Sequence, residues 1–258
     1  MPSLGQLVLY AATGFLAGLL DYGFAAGFGL VASLVLVGLL AMDPRAVSGA
    51  AALAQVVTAA PALRAHQRHG NTEEARRNPG TQRIILGLSF SSLLGAVVAG
   101  SLFSQLRREA ALLIYPVGLL GLAALLAATR DEEEGRGTEK PGLVPLLYGF
   151  AAGAYKAVIG GGYSAFMVLA KKKLGLGTRA AIALTPVTKL PSFLAVAATY
   201  AASGHIDWSL TTMLSLGALA STPLAAKALH NTSPEAAKRA LVAVLVAVAV
   251  YRFVVCRG

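Results

Sequence analysis

Three charged residues stand in apolar surroundings where charge is expensive: Asp21 in GLLDYGF, Lys156 in AGAYKAVIGGG and Lys189 in TPVTKLP. Each costs about 2.5–3.5 kcal/mol at the centre of a bilayer on insertion scales, so a side chain of this kind is kept for a reason. A lysine ammonium brings three donors and a full charge, the chemistry that holds an oxyanion. The residues around the two lysines are of the same character. Gly160, Gly161 and Gly162 remove three side chains ahead of a short apolar run, leaving backbone N–H groups at the positive end of a helix dipole. Tyr163 and Ser164 follow with hydroxyls. Thr185 and Thr188 add two more beside Lys189, where Pro186 and Pro191 are expected to interrupt the helix. From an earlier segment, Gln55 and Thr58 supply an amide and a further hydroxyl. These eleven positions, Lys156, Gly160 to Gly162, Tyr163, Ser164, Thr185, Thr188, Lys189, Gln55 and Thr58, form the expected anion site. Asp21 is read either as a structural ion-pair partner of Lys156 or as a charge-balancing, titrating member of that site.

Elements able to hold such a site must come from a membrane. The 258 residues are 56% hydrophobic and only 13% charged, with a mean hydropathy of +0.66, which leaves no room for a large soluble catalytic or nucleic-acid-binding module. Ten apolar segments fall near 4–20, 24–41, 46–63, 84–103, 111–128, 143–158, 162–170, 180–202, 209–226 and 240–255. Between the fifth and sixth lies RDEEEGRGTEKPG at 130–142. It reads as a linker between a first repeat, 1–129, and a second, 143–258.

The halves match one another. GFLAGLLDYGFAAGFG at 14–29 lies on GFAAGAYKAVIGGGYS at 149–164 without a gap, pairing Gly14 with Gly149, Gly18 with Gly153 and Gly27 with Gly162. Five segments each make the second copy inverted relative to the first. The fold expected is therefore an all-α integral membrane protein of two inverted repeats. The nine-residue run 162–170 is too short to cross, at about 14 Å of helix, so it is read as pairing with 143–158 in a re-entrant or broken helix, with ten ordinary, tilted spans as the competing arrangement. The match extends this to 4–20 and 24–41, with a tip near Asp21. Gly14, Gly18, Gly149 and Gly153 read as close-packing positions.

Sorting basic residues by alternate loops fixes orientation. Arg64, Arg68, Arg76, Arg77, Arg83, Arg130, Arg136, Lys140, Lys171, Lys172, Lys173, Arg179, Lys227, Lys238 and Arg239 gather on one side, against Arg45, Arg107, Arg108 and Arg257 on the other. Both termini are expected outside the cell membrane. The net charge of +10 is thereby spent on cytoplasmic loops facing anionic lipid rather than on nucleic acid.

Other chemistry finds little support. The single cysteine, Cys256, excludes an internal disulfide, and no Cys/His cluster has zinc spacing. Gly162-Tyr163-Ser164-Ala165-Phe166 lacks the last glycine of a nucleophile elbow. No enzyme activity, metal or cofactor is expected. His205 and Asp207 fit a helix cap, with proton entry as the other reading, His66 and His69 a solvated basic loop, and Arg252 a snorkelling helix end.

With its two related halves, its GGG turn, LGLGTRAAIALTPVTKLPSFLAVAATYAASGHIDW at 174–208 and the Gly204-His205-Ile206-Asp207-Trp208 string, the chain resembles the TauE/SafE sulfite exporter family of anion transporters. The first half departs from the family pattern, reading Asp21-Tyr22-Gly23-Phe24-Ala25-Ala26-Gly27 where members carry a glycine-rich turn. The resemblance implies a secondary transporter for sulfite, an organosulfonate or a related small anion, with H+ as a candidate coupling ion and a homodimer as a candidate assembly. An anion channel and a non-transporting scaffold or accessory subunit are the competing readings of the same residues.

Overall fold

The computed structural model describes residues 2–24, 27–40, 42–73, 81–107, 143–163, 166–167 and 178–231, with scattered positions in 109–124 and 239–254. The linker expected at 130–142, Ser164 and Arg252 lie outside the described residues. Helices α1 (Leu4–Phe24) and α2 (Phe28–Ser33) lead into a π-helical turn at Leu34–Leu39. They are followed by α3 (Pro44–Arg68), α4 (Thr81–Ser104), α5 (Val144–Ile159), α6 (Thr178–Thr188), α7 (Leu190–Ala202) and α8 (Trp208–Asn231). Among the described residues there is no strand, and five stretches are long and apolar enough to cross a membrane: α1, α3, 82–104, 180–202 and α8.

The bundle is apolar on its outside. Leu86, Phe90, Leu102, Leu147 and Trp208 each leave 60% or more of their surface uncovered, a surface that suits lipid and would be a liability in water. Its interior is built from small residues. Gly14 lies on the backbone of Leu214, Gly18 on Ala218 and Ser221, and Gly23 on Ala225, so α1 runs parallel to α8 along its length. Gly149 lies on Leu88 and Ser91, and Gly153 on Ser92, so α5 runs parallel to α4 in the same way. The four glycines expected to permit close packing do so, and matched positions do it in each half. α3 also borders α8, with Val47 clustered with Leu210 and Ala62 with Ala225. It runs antiparallel to α7, where Gly49 lies beside Tyr200.

Loops expected on one side are found at one end. Asp43 caps α3, its Oδ1 accepting from the Arg45 N–H at 2.8 Å, and pairs with the Arg45 guanidinium at 2.7 Å. Burial raises the Asp43 carboxyl, but the Arg45 hydrogen bonds outweigh it and hold the group below the ordinary carboxylate range, helped by the field of His205 from the α7–α8 turn. At the opposite end, the rings of His69 and His230 lie 6.4 Å apart and Asn71 Nδ2 donates to Ala226 O at 3.1 Å.

Of the two residues expected to cap α8, Asp207 supplies the bond, while His205 Nδ1 is buried without a hydrogen-bond partner among the described residues. Asp207 Oδ1 accepts from the Leu210 N–H at 2.9 Å, satisfying an amide that the first turn of α8 cannot. Asp207→Ala is expected to cost about 1 kcal/mol, read as a modest fall in thermal unfolding temperature in detergent with binding at the central site unchanged.

Two local expectations are corrected. α1 continues past Asp21 to Phe24, and the turn comes at Gly27. Asp21 does not end the helix because its carboxylate finds a partner outside α1. The two prolines around Lys189 interrupt 180–202 by one residue only. Lys189 keeps helical angles, its N–H bonds Thr185 O at 3.1 Å, and the Phe193 N–H bonds Lys189 O at 3.1 Å.

Candidate functional site

Two glycine turns meet inside the bundle. Gly27 (φ 81°) accepts from the Leu30 and Val31 N–H groups to start α2, and Gly162 (φ 85°) accepts from the Phe166 N–H. Left-handed angles of this kind favour glycine. A Cβ on Gly27 would lie 2.9 Å from Gly162 N, and one on Gly161 would lie 2.8 Å from Leu30 Cγ and 3.0 Å from the Gly29 carbonyl carbon. The turns thus touch backbone to backbone, and the residues matched by the internal repeat are the ones in contact. Gly161 is therefore packed against Leu30 instead of opening onto a cavity.

Beside this junction lie the buried charges. Lys189 Nζ is 2.6 Å from Asp21 Oδ2 and donates to Gln55 Oε1 at 2.9 Å. Lys156 Nζ donates back to Gly160 O, the carbonyl that follows its own helix. The ring of Phe193, one turn beyond Lys189, joins the two lysines: Lys156 Nζ is 4.5 Å and Lys189 Nζ 5.2 Å from its centroid. Tyr22 presents its ring to Lys189 at 5.0 Å. Such faces stabilise a desolvated cation through the ring quadrupole. The ion pair of Asp21 thus forms with Lys189, across the two halves, while Lys156 turns to the glycine junction. Asp21, Gln55, Lys156 and Lys189 are all 2% exposed or less.

The expected hydroxyl donors sit here, but their protons are committed. Thr185 Oγ1 donates to Ala181 O at 3.0 Å, Thr188 Oγ1 to Thr185 O at 3.2 Å, and Tyr163 OH to Thr188 O at 2.9 Å. Thr58 Oγ1 donates to Ala54 O at 2.8 Å, so in its contact with Tyr22 OH the tyrosine is the donor. These groups hold the backbone of α3 and α6 in place and offer lone pairs, not protons, to the interior. Among the described side chains of the expected site, the donors left for an anion are the two ammonium groups and the second N–H of Gln55, whose first goes to Ala51 O at 3.0 Å.

Four residues in or near the site were not among the expected ones: Phe193, Tyr22, Ser48 and His66. Phe193 had a signal in its spacing of one turn from Lys189. His66 is corrected outright. It is fully buried because α3 extends through Arg68 and Asn71 folds back on it.

A helical bundle with an apolar exterior and a closed cluster of charge at its centre defines a multi-pass membrane protein with an internal polar site. The chain belongs to the TauE/SafE sulfite exporter family, whose model matches residues 10–252. That is a family of membrane exporters of sulfite and other anions. No curated protein and no solved structure matches the chain.

Proposed function

We propose that the protein is a secondary transporter that carries a small anion, sulfite, an organosulfonate or a related species, across the cell membrane, holding it between two inverted repeats. The observation that carries this reading is a charge count. Among the described residues the buried lysines are two, Lys156 and Lys189, and the buried carboxylate is one, Asp21. A bound monoanion brings the counter-charge that this cluster lacks, and in a low dielectric that balance is worth far more than at a surface.

Parallel pairing of α1 with α8 and of α5 with α4 supports the inverted relation. It makes each half contribute one long partner to the other, an arrangement that can rock. The end bearing His69, Asn71 and His230 is assigned to the cytoplasm from its basic loops. Closure of the whole charged group from both ends favours a carrier over a channel, and pairing of Asp21 with Lys189 inside one chain speaks against a scaffold that offers them to a partner.

Purified protein in proteoliposomes, loaded with sulfite and assayed with and without a proton gradient, tests the reading. Lys156→Met is expected to lower flux at least tenfold, since a charge-assisted hydrogen bond of about 1.5–3 kcal/mol is removed. Flux equal to wild type in that variant would sink the proposal.

A further inference from the structure

α3 carries three buried polar side chains, Ser48, Gln55 and His66, along one line of its surface, spaced by buried alanines. Ser48 and His66 are five helical turns apart at about 100° per residue, so they share an azimuth, and Gln55 falls within about 20° of both. The helix is continuous across Pro61. Ser48 and His66 are separated by about 27 Å along the axis, close to the thickness of the hydrocarbon core. All three side chains are 3% exposed or less. Gln55, in the middle, touches Lys189 at 2.9 Å.

The two end members differ in their company: His66 Nε2 is buried without a hydrogen-bond partner among the described residues, while Ser48 Oγ has beside it the hydroxyl of Tyr200, whose own proton goes to Ala157 O at 2.9 Å. An orphaned atom such as His66 Nε2 costs about 1–3 kcal/mol, and both side chains stand in line with the charged cluster. The proton on His66 can be placed. Asn71 Nδ2 donates to Ala226 O at 3.1 Å, and a carbonyl only accepts, so this atom is the amide nitrogen. It lies 3.2 Å from His66 Nδ1, which therefore accepts. Neutral His66 carries its hydrogen on Nε2, the orphaned atom. The charged and titratable groups whose fields reach it are His69, Lys189 and Asp21. At the other end, Ser48 Oγ and Ser33 Oγ both border Gly160, at 3.4 and 3.5 Å from where its Cβ would stand.

We propose that the substrate anion moves along this face of α3, with Ser48 and His66 as binding stations on either side of the lysine cluster, and that the Nε2–H of His66 takes an anion oxygen at the inner end. The proposal rests on the transport reading above and extends it to a route. An anion released from Lys189 towards the cytoplasm meets the imidazole as its next donor, and one arriving from the opposite face meets the serine hydroxyl first.

The chain's single cysteine allows a direct test. In a Cys256→Ser background, Ser48→Cys and His66→Cys are made separately and treated in proteoliposomes with a membrane-impermeant methanethiosulfonate from each face. Each is expected to react from opposite faces, with sulfite slowing the reaction severalfold. Reaction of neither, or of both from one face, would overturn the route. Reaction from opposite faces without protection by sulfite would support the route and count against sulfite as the substrate. In flux assays His66→Leu is expected to fall at least tenfold while sulfite affinity at the central site stays within twofold, and His66→Gln, which keeps an N–H donor, to recover part of the loss. Flux within twofold of wild type in His66→Leu would show that the imidazole only fills space.

Discussion

Lys189→Ala is expected to destabilise the protein by about 3–5 kcal/mol, because it strands the Asp21 carboxylate without its counter-ion in the interior. Both partners are 1% exposed and 2.6 Å apart, so water cannot take over the lost interaction. Gln55 is stranded too, its Oε1 losing a donor. The measurement is thermal unfolding in detergent for Lys189→Ala, Asp21→Asn and the double variant. Asp21→Asn in the Lys189→Ala background removes the orphaned charge and should recover most of the loss, giving a coupling energy of about 3 kcal/mol or more in the cycle. Additive single effects would show that the pair does not hold the halves together.

Lys156 is expected to behave in the opposite sense. Its ammonium has a backbone carbonyl and an aromatic face for company, and removing a charge that burial disfavours is neutral or stabilising when the replacement fills the space. Lys156→Met should therefore unfold no earlier than wild type although its flux is lost. This contrast separates a residue held for architecture from one that the proposed function assigns to the anion. If both lysine variants lost stability equally, the charge count behind the proposed function would lose its meaning.

How far these residues were legible in the sequence depends on what sequence carries. Charge inside an apolar run is visible at once, and Asp21, Lys156 and Lys189 were found by that signal alone. Their pairing was not visible, because Asp21 and Lys189 are 168 residues apart and only the packing of the helices decides which lysine the carboxylate meets. Hydroxyls are harder still. Thr58, Thr185 and Thr188 are the right residue types in the right place, yet a threonine in a helix has a backbone carbonyl one turn back competing for its one proton, and in each case the carbonyl wins. His66 was hidden by its basic neighbours, since composition of a stretch does not tell which side chain turns inward. A five-turn spacing from Ser48 was the available signal. The long apolar helices, their small-residue contacts and the grouping of loops by side were legible because each rests on hydropathy, size or charge, properties a residue carries with it.

The glycine junction yields the second large effect. A methyl group on Gly29 would run into the carbonyl of Gly160 and stand 3.0 Å from Gly161 N. Every atom it meets is backbone, so no rotamer change can relieve the contact, and the two turns must separate. Overpacking of this kind costs about 1–3 kcal/mol where side chains can shift and more where they cannot. Gly29→Ala is thus expected at or beyond the upper end, with sulfite flux near background, because moving the Gly160 carbonyl also removes the acceptor of Lys156 Nζ. Two controls give the result its meaning. Gly121 has nothing within 4 Å of its would-be Cβ, so Gly121→Ala should leave stability and flux unchanged. Gly18 faces the Ser221 hydroxyl and Ala218, so the loss in Gly18→Ala should be relieved in part by Ser221→Ala. No trimming can rescue Gly29→Ala in that way, since Gly160 has no side chain to remove. A Gly29→Ala protein as stable as Gly121→Ala would mean that the turns do not meet as described, and that Lys156 and Lys189 are brought together by some other contact.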